Sequence, residues 1–235
     1  MLSQALRETI RVQGGLIPLL ELHLARLAAG GCDAAMVAAA RREAMRAAEE
    51  WPEPYGRMTL HVAVDGRARA EVSSAASMID VPGGPSIAFV VTPEPVLPPG
   101  GAKPEDRSFW DRAVEQARTQ GADVAVLVSA AGLVFDTSHA TLWVRFGDRL
   151  LTPASPPALA GVSRRVVFDA APELGFSAEE APLTAADVDA ADEVVLTTAV
   201  AGAIAVRGRG GPAAEALAAC FARLFAGAGD GARDG

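Results

Sequence analysis

The chain has 235 residues, of which 50% are hydrophobic and 21% are charged, so it can bury a substantial core and does not have the composition of a disordered protein. Its net charge of −8 and the absence of a basic cluster argue against a surface that binds nucleic acid or membranes. The chain has two cysteines, Cys32 and Cys220, which are too few and too far apart in sequence for a disulfide framework or a metal site. Because no apolar run reaches about 18 residues and no apolar signal segment opens the chain, we expect a cytoplasmic protein.

The first half of the chain predicts a mixture of strands and helix. ETIRVQGGLIPLL indicates two short strands around a turn at Gly14–Gly15, and the alanine-rich segment from Leu20 to about Glu50 favours helix, interrupted near Gly30–Gly31. RMTLHVAVDG (57–66) alternates like a strand that ends in an Asp-Gly turn, and RARAEVSSA follows as the next strand. SIAFVVTPEP (86–95) is a further β-rich run.

The second half begins after VLPPGGAKP, which contains too many Pro and Gly residues for a regular element. Pro104 suits the first position of a helix that is capped by Gly121. ADVAVLVSA, GLVFDTS and ATLWVRF then predict a three-strand meander, with GDRLLTP trailing. A helix with Ser163 near its start, two strands (ADEVVLTTAV and AIAVRG) and the helix GPAAEALAACFARLF follow, and the segment from Gly227 predicts a frayed tail.

These elements predict an α/β (α+β) chain of two domains, divided at the Pro- and Gly-rich loop VLPPGGAKP. No internal repeat is present. The expected limits are a small N-terminal α/β domain at residues 1–95, an interdomain loop at 96–102, a larger C-terminal α/β domain at 103–226 and a flexible tail at 227–235.

One residue of the second half stands out because it is chemically alone. The chain has 21 basic residues, and Lys103 is its only lysine. A lysine can lose its proton and form a Schiff base, whereas an arginine stays charged. The alternative is a surface lysine left over from a codon bias toward arginine.

Two further features suit a phosphate-bearing cofactor. Asp136 ends a mostly apolar strand, and Val162 and Ser163 open a helix whose first N–H groups form an anion site. A lysine, a carboxylate and a phosphate cradle together match the needs of pyridoxal phosphate. The alternatives are that Asp136 caps a turn with Thr137 and Ser138, and that Ser163 marks an ordinary helix entry.

Five segments occur in an order that resembles the class IV aminotransferases, the fold-type IV pyridoxal-phosphate enzymes. This family includes branched-chain and D-amino acid aminotransferases and 4-amino-4-deoxychorismate lyase. The segments are RETIRVQGGLIPLLELHLARL, KPEDR, GLVFDTSHATLWVRFGDRLLTP, LAGVSR and ADEVVLTTAVAGAIAV, which together cover roughly residues 7 to 206.

The resemblance implies a pyridoxal 5'-phosphate cofactor in the cleft between two domains, a homodimer, no metal, and a small-molecule amino substrate. The family's Schiff-base lysine falls on Lys103, and its pyridine-nitrogen acid falls on Asp136. The family's phosphate contacts fall on Arg26, Val162, Ser163, Thr198 and Ala199. From the residues alone, Arg26 in HLARL remains open to the alternative that it only extends along a helix face.

The chain departs from the family pattern at several positions. Arg7 replaces a phenylalanine, Asp136 replaces the usual glutamate, and Thr141 replaces the usual asparagine. Only six residues precede Arg7, where the family usually has about thirty. Ala199 lacks a hydroxyl that the transaminases often supply, although the lyase pattern also has alanine there.

The expected activity is that of a class IV enzyme, with a slight preference for 4-amino-4-deoxychorismate lyase. The preference depends on Ala199 and on the presence of a single tyrosine, Tyr55, since the transaminases of this class tend to line their pockets with tyrosines. A branched-chain or D-amino acid transaminase is the alternative. A degenerate binding protein, suggested by the Asp136 change and the short N-terminus, is the second alternative.

Overall fold

The computed structural model describes residues 2–74 and 81–230, with side chains described as far as residue 227. The strands in these ranges are β1 (Leu6–Gln13), β2 (Tyr55–Val62), β3 (Ala68–Ser73), β4 (Ile87–Val91), β5 (Val124–Val128), β6 (Leu133–Thr137), β7 (Thr141–Phe146), β8 (Arg149–Thr152), β9 (Ser177–Glu180), β10 (Leu183–Thr184), β11 (Glu193–Thr198) and β12 (Gly202–Ala205). The helices are α1 (Leu20–Ala29), α2 (Ala34–Glu49), α3 (Ser108–Thr119), α4 (Val162–Ala170), α5 (Ala185–Ala190) and α6 (Pro212–Asp230). Short 3₁₀ turns occur at Pro99–Gly101 and Ala171–Leu174.

The contacts between residues divide the chain into two compact units. The first unit comprises the described parts of Met1–Ala76, Leu97–Asp106 and Phe221–Gly235, and the second comprises those of Ser77–Val96 and Arg107–Cys220. The continuous domain limits expected from the sequence stay a prediction about which segments fold independently.

The first unit is an antiparallel sheet in the order β1-β2-β3 with α1 and α2 packed on one face. Burial alternates strictly along β1 and β2, as expected for strands with one face on a core. Leu6, Ile10, Leu27 and Leu60 are among the core residues, and the alanine side of α2 packs close to them. The other face of the sheet carries polar and charged side chains.

The second unit contains a four-stranded sheet in the order β10-β6-β5-β4 and a five-stranded sheet in the order β12-β11-β7-β8-β9. Its apolar core includes Val126, Leu142, Val144, Leu183 and Leu196. The predicted meander is wrong in its pairing: β5 pairs with β6, but β7 pairs with β8 and β11 in the other sheet. The chain changes sheets between β6 and β7, and the segment predicted to trail after them forms β8.

The prediction of two strands around Gly14–Gly15 is also wrong. β1 is a single strand that ends at Gln13, and only Leu16 makes an isolated bridge back to Gln13 before α1 begins. The segment from Ile17 is therefore the entry to α1 rather than a second strand, and Pro18 within it cannot donate a ladder hydrogen bond.

The helix predicted to begin at Pro104 begins instead at Ser108. Pro104 forms a bridge with Leu6, and the N–H of Glu105 donates to the carbonyl of Ala5 at 3.0 Å. These tertiary contacts hold the segment extended, so the favourable position of Pro104 for a helix start is not used. Gly121 follows the helix with φ of 75°, as predicted for a cap residue.

The last helix is longer than predicted, because α6 continues through Gly227 to Asp230. The remainder of the predicted frayed tail, residues 231–235, lies outside the described residues. Among the helices of the described ranges, none combines the length and the apolar character that a membrane span requires.

Candidate active site

Lys103 lies beside β1 in the first unit. Its carbonyl accepts a hydrogen bond from the N–H of Arg7 at 3.0 Å, so the lysine backbone extends the edge of the sheet. Its half-buried side chain donates from Nζ to Oγ1 of Thr9 at 3.1 Å. The only lysine of the chain is therefore held in a defined place by its backbone and by its amine.

The turn before Lys103 depends on a glycine. Gly100 has φ of 63°, and a Cβ at this position would lie 2.8 Å from the carbonyl oxygen of Ala29. Any other residue would combine left-handed strain with a clash against backbone. The sequence Pro-Gly-Gly thus brings the chain close to the end of α1 before it returns along β1.

Arg26 is held by a buried carboxylate rather than extended along the helix. Its Nε donates to Oε1 of Glu8 at 2.8 Å, and its Nη2 makes a short contact with Oε2 of the same group. The Arg26 side chain is only 10% exposed and that of Glu8 only 1%. Burial alone would raise the pKa of Glu8, but Arg26 and His23 outweigh it and lower this pKa to about 2.

His23 completes this cluster with one ring nitrogen. Its Nδ1 lies 2.7 Å from Oε2 of Glu8, and burial lowers the pKa of the imidazole although Glu8 acts in the opposite direction. Since an ionised Glu8 only accepts, Nδ1 must donate, which leaves Nε2 of a neutral ring as an acceptor. This buried Nε2 has no hydrogen-bond partner among the described residues.

Asp136 lies on β6 in the second unit and is buried, with 8% of its surface exposed. Its Oδ1 accepts from the N–H of Thr137 at 2.8 Å, and its Oδ2 accepts from the N–H of Leu159 at 3.3 Å. Burial raises the pKa of Asp136 to about 7, although these two N–H groups and the charge of Arg107 act in the opposite direction. The carboxyl is more than a turn cap, because its second oxygen reaches a residue 23 positions along the chain.

The start of α4 presents backbone N–H donors and packs closely against neighbouring residues. Val162 and Ser163 are the first two residues of the helix, so their N–H groups have no acceptor within it. The Ser163 hydroxyl donates to the carbonyl of Thr197 at 3.0 Å, which leaves the serine N–H rather than its hydroxyl for an anion. A Cβ on Gly161 would lie 2.7 Å from Oγ1 of Thr141, so glycine allows this close approach.

The turn after β11 carries the other two predicted phosphate residues. Thr198 ends the strand, and its Oγ1 accepts from the N–H of Ala201 at 3.0 Å. Ala199 follows and is buried. Thr197, just before them, connects this turn to Ser163 at the start of α4.

The predicted site residues thus form two groups. Arg26 and Lys103 contact consecutive residues of β1, Glu8 and Thr9, in the first unit. Asp136, Val162, Ser163, Thr198 and Ala199 belong to the second unit. Within the ranges that the structure describes, no cluster of His, Cys, Asp and Glu is suited to a metal ion.

The sequence interpretation missed Glu8, Thr9 and His23. The signals were present, because Glu8 is a charged residue on the core face of a strand and His23 precedes Arg26 by one helical turn. Their partnership depends on a separation of 15 residues between Glu8 and His23, which no local pattern reports.

Comparisons with known proteins identify the family of the chain. The model of the amino-transferase class IV family matches residues 5–208. A branched-chain-amino-acid aminotransferase of Pseudomonas aeruginosa is 28% identical over 124 residues, which are 49% of this chain and 40% of that protein. The match therefore spans less than half the length of this curated relative.

Solved structures share the fold at lower identity. A hypothetical aminotransferase from Mycobacterium tuberculosis with α-ketoglutarate and PMP bound has a TM-score of 0.79 at 23% identity, covering 94% of this chain and 89% of that one, and it is also known in a PLP-bound form. A candidate 4-amino-4-deoxychorismate lyase from Legionella pneumophila has a TM-score of 0.79 at 18% identity, covering 94% and 91%. The fold-type IV architecture predicted from the sequence is confirmed.

Proposed function

The chain belongs to the class IV aminotransferase family, an enzyme family, and from this premise we propose that it is a pyridoxal-phosphate enzyme acting on a small-molecule amino substrate. The observation that carries the proposal is the setting of Lys103. Lys103 carries the only primary amine among the side chains, and this side chain is half-buried. Its backbone is hydrogen-bonded to β1, and its amine donates to Oγ1 of Thr9 at 3.1 Å. A lysine that only solvates the surface would be exposed and would not be expected to make these contacts.

The residues present fit the cofactor in their chemistry. A buried carboxyl whose pKa is raised to about 7, such as Asp136, suits a protonated ring nitrogen, because the adjacent positive charge would stabilise the ionised carboxyl. The first N–H groups of α4 suit a phosphate, and Gly161 just before them has no side chain to crowd the position. We propose that Arg26 supplies a cation to the cofactor phosphate, as the resemblance to the family implies.

When bound, the cofactor acts as an electron sink for a carbanion at the substrate Cα. The residues of this chain would attach and orient it and move protons. We propose that Lys103 attaches the cofactor and, once released by the substrate amine, removes the Cα proton. Thr9 would orient the Lys103 amine through its hydroxyl, and Asp136 would keep the ring nitrogen protonated.

We keep a slight preference for 4-amino-4-deoxychorismate lyase, which expels pyruvate and leaves 4-aminobenzoate. Ala199 and the single tyrosine support it, and the ring of Tyr55 is occupied by the Arg11 guanidinium at 4.4 Å. A branched-chain or D-amino acid transaminase is the alternative, since the curated relative carries the former name. A degenerate non-catalytic binding protein is the second alternative, and the placement of Lys103 argues against it.

The decisive experiment is borohydride reduction in the presence of pyridoxal phosphate, followed by peptide mapping. We expect a yellow protein whose visible band is lost on reduction and whose label is on Lys103. The matched control is Lys103→Arg, which keeps the charge and should remain unlabelled. A label on the chain terminus alone would contradict the assignment.

Incubation with aminodeoxychorismate and, separately, with pairs of amino acids and 2-oxoglutarate then separates the lyase from the transaminases. A homodimer and a cytoplasmic location stay predictions, and sedimentation of the purified protein tests the first.

A further inference from the structure

A buried chain of hydrogen bonds connects the start of α4 to β11 in the second unit. The indole Nε1 of Trp143 donates to Oγ1 of Thr197 at 3.2 Å, and this hydroxyl donates to Oγ of Ser163, also at 3.2 Å. The Ser163 hydroxyl in turn donates to the carbonyl of Thr197 at 3.0 Å. At most 3% of each of these residues is exposed, so the chain of bonds is shielded from bulk solvent.

The direction of this chain of bonds is fixed by the chemistry of its two ends. An indole N–H can only donate and a carbonyl can only accept. Thr197 therefore accepts from Trp143 at one end, and Ser163 gives its hydroxyl proton to the carbonyl at the other end. The proton of the Thr197 hydroxyl then goes to Oγ of Ser163. Neither hydroxyl keeps a proton for a ligand.

The strand register explains why these residues meet. Thr197 on β11 lies opposite Thr141 on β7, and Trp143 is two residues further along β7 on the same face. α4 packs on this face at two points. The Phe168 ring meets the Trp143 ring edge-on, with centroids 5.3 Å apart, and Ser163 bonds to Thr197.

The first residues of α4 approach the sheet closely. A Cβ on Gly161 would lie 2.7 Å from Oγ1 of Thr141, the cross-strand partner of Thr197. Two residues later, Ser163 bonds to Thr197 itself. The two threonines therefore set the position of the segment whose first N–H groups have no acceptor within the helix.

We propose that the Thr197 hydroxyl positions the phosphate site of the cofactor, because it holds the start of α4 on β11 and so fixes the direction of the first N–H groups of the helix. The inference rests on the proposed function, since it takes the start of α4 as the phosphate site. Thr197 is a positioning residue, because its hydroxyl proton goes to Ser163 and not to the phosphate. Hydrogen bonds weaken steeply when they are misaligned, so the direction of these N–H groups determines how tightly they bind an anion.

The test compares pyridoxal phosphate with pyridoxal, which lacks the phosphate, in the parent and in Thr197→Val. Valine has nearly the shape of threonine but no hydroxyl. Dissociation constants come from titrations of cofactor-free protein followed by the visible band. We expect the parent to bind pyridoxal phosphate at least about 100-fold more tightly than pyridoxal, the order for two charge-assisted contacts. Thr197→Val should reduce this ratio by about tenfold and leave pyridoxal affinity within about threefold of the parent.

Two variants separate positioning from a general loss of stability. Thr197→Ser retains the hydroxyl and should restore the ratio to within about threefold of the parent. Thr184 caps α5 in the same unit, and its Oγ1 accepts from the N–H of Asp187 at 3.2 Å. Thr184→Val should lower the thermal midpoint by about 2–4 °C, the order for loss of a cap, without changing the ratio. A ratio that falls equally in Thr184→Val, or that Thr197→Ser does not restore, overturns the proposal.

Ser163→Ala provides a second test that does not depend on the folding of Thr197→Val. Alanine removes the hydroxyl and keeps the N–H. The ratio should fall by a factor similar to that in Thr197→Val, and the double variant should fall no further, because the two hydroxyls act through one hydrogen bond. A parent-like ratio in Ser163→Ala overturns the proposal. So does a reduced ratio in Ser163→Ala beside a parent-like Thr197→Val, since the serine hydroxyl would then meet the phosphate itself.

Failure of this proposal and failure of the proposed function give different results. Borohydride labelling of Lys103 is followed in the same samples. A missing label overturns the proposed function. Labelled protein whose ratio of pyridoxal to pyridoxal phosphate dissociation constants does not depend on Thr197 overturns this inference alone.

Discussion

Two buried carboxyl groups, Glu8 in the first unit and Asp136 in the second, have pKa values displaced in opposite directions. The pKa of Glu8 is lowered to about 2, and that of Asp136 is raised to about 7. Burial acts to raise both, so the difference comes from their partners. Glu8 contacts the guanidinium of Arg26 and the imidazole of His23. Asp136 accepts from two backbone N–H groups, and these groups and the charge of Arg107 lower its pKa by less than burial raises it.

The difference shows which of the two ionised carboxyl groups a bound cation would stabilise. Glu8 is already satisfied by its own chain and serves to hold Arg26. Asp136 is a buried acid whose pKa stays raised although the charge of Arg107 acts to lower it, so a bound cation would stabilise its charged form. We therefore infer that Glu8 positions Arg26, and the proposed role of Asp136 at the cofactor ring agrees with its raised pKa.

Removing the charge of Glu8 should have the largest effect. Glu8→Gln keeps the shape but leaves the largely buried Arg26 without its counter-ion, which typically costs about 3–5 kcal/mol. Urea unfolding at pH 7 measures the loss in the free energy of unfolding. The control is Glu71→Gln on β3, where the ion pair with Arg69 is exposed and the change should stay below about 1 kcal/mol. Equal effects of the two variants would contradict the account of Glu8.

Asp136→Asn should instead impair turnover. If Asp136 keeps the cofactor ring protonated, the variant weakens the electron sink and lowers kcat by about 10²- to 10³-fold, the order found when one stabilising group is removed from an active site. Cofactor affinity should fall much less. Asp148→Asn, at an exposed turn of the same unit, is the control. Parent-like turnover of Asp136→Asn would show that the acid only bonds to the backbone.

The sequence predicts some of the residues in this comparison, but it does not predict all of their contacts. Lys103 is the only lysine of the chain, and the order of the motifs predicts roles for Asp136 and Arg26. The strictly alternating β1 pattern could be recognised, but the pairing of Glu8 with His23 and Arg26 arises from packing between α1 and the sheet. Local patterns do not specify such contacts.

The same limit explains the errors in the fold. Alternation identified β5, β6 and β7 as strands, but it does not specify a partner, so the change of sheet after β6 was not foreseen. At Pro104 a local preference for a helix start was overridden by pairing with β1. The positions of Lys103 and Thr9 follow from that pairing.

The two carboxyls should also give opposite slopes of stability against pH in cofactor-free protein. Because the folded pKa of Asp136 is raised from 3.8 to about 7, its contribution is fully present below 3.8 and is lost as pH rises through about 7. Between pH 5 and 8 the loss should be about 2–3 kcal/mol, since one pKa unit corresponds to about 1.4 kcal/mol. Urea unfolding should show this loss as the difference between the parent and Asp136→Asn, because His23, with its lowered pKa, contributes the same pH dependence to both.

Glu8 should give the opposite dependence of stability on pH, at the acidic end of the range. Its folded pKa is lowered from 4.5 to about 2, so its contribution is present above 4.5 and is lost as pH falls through about 2. Glu8→Gln should remove that acid-side slope. Equal slopes above pH 5 in the parent and in Asp136→Asn would contradict the assignment to Asp136.

The smallest expected effect concerns cofactor affinity. If Arg26 contacts the cofactor phosphate as proposed, Arg26→Ala removes a charge-assisted contact and should weaken pyridoxal phosphate binding by about 10- to 150-fold, or about 1.5–3 kcal/mol. Because Arg26→Ala also removes a partner of Glu8, the double variant Glu8→Gln/Arg26→Ala is the control. Affinity restored in the double variant would mean that Arg26 acts only through Glu8.

The most direct test of the central claim is a carbon-13 NMR titration of the Asp136 carboxyl, identified by the signal missing from Asp136→Asn. In cofactor-free protein we expect a pKa of about 7. With pyridoxal phosphate bound, the adjacent cation should lower the pKa of Asp136 by about two units or more. An Asp136 pKa close to 3.8 without the cofactor, or one that does not change when the cofactor binds, would contradict the claim that this buried acid is prepared for a cationic ring.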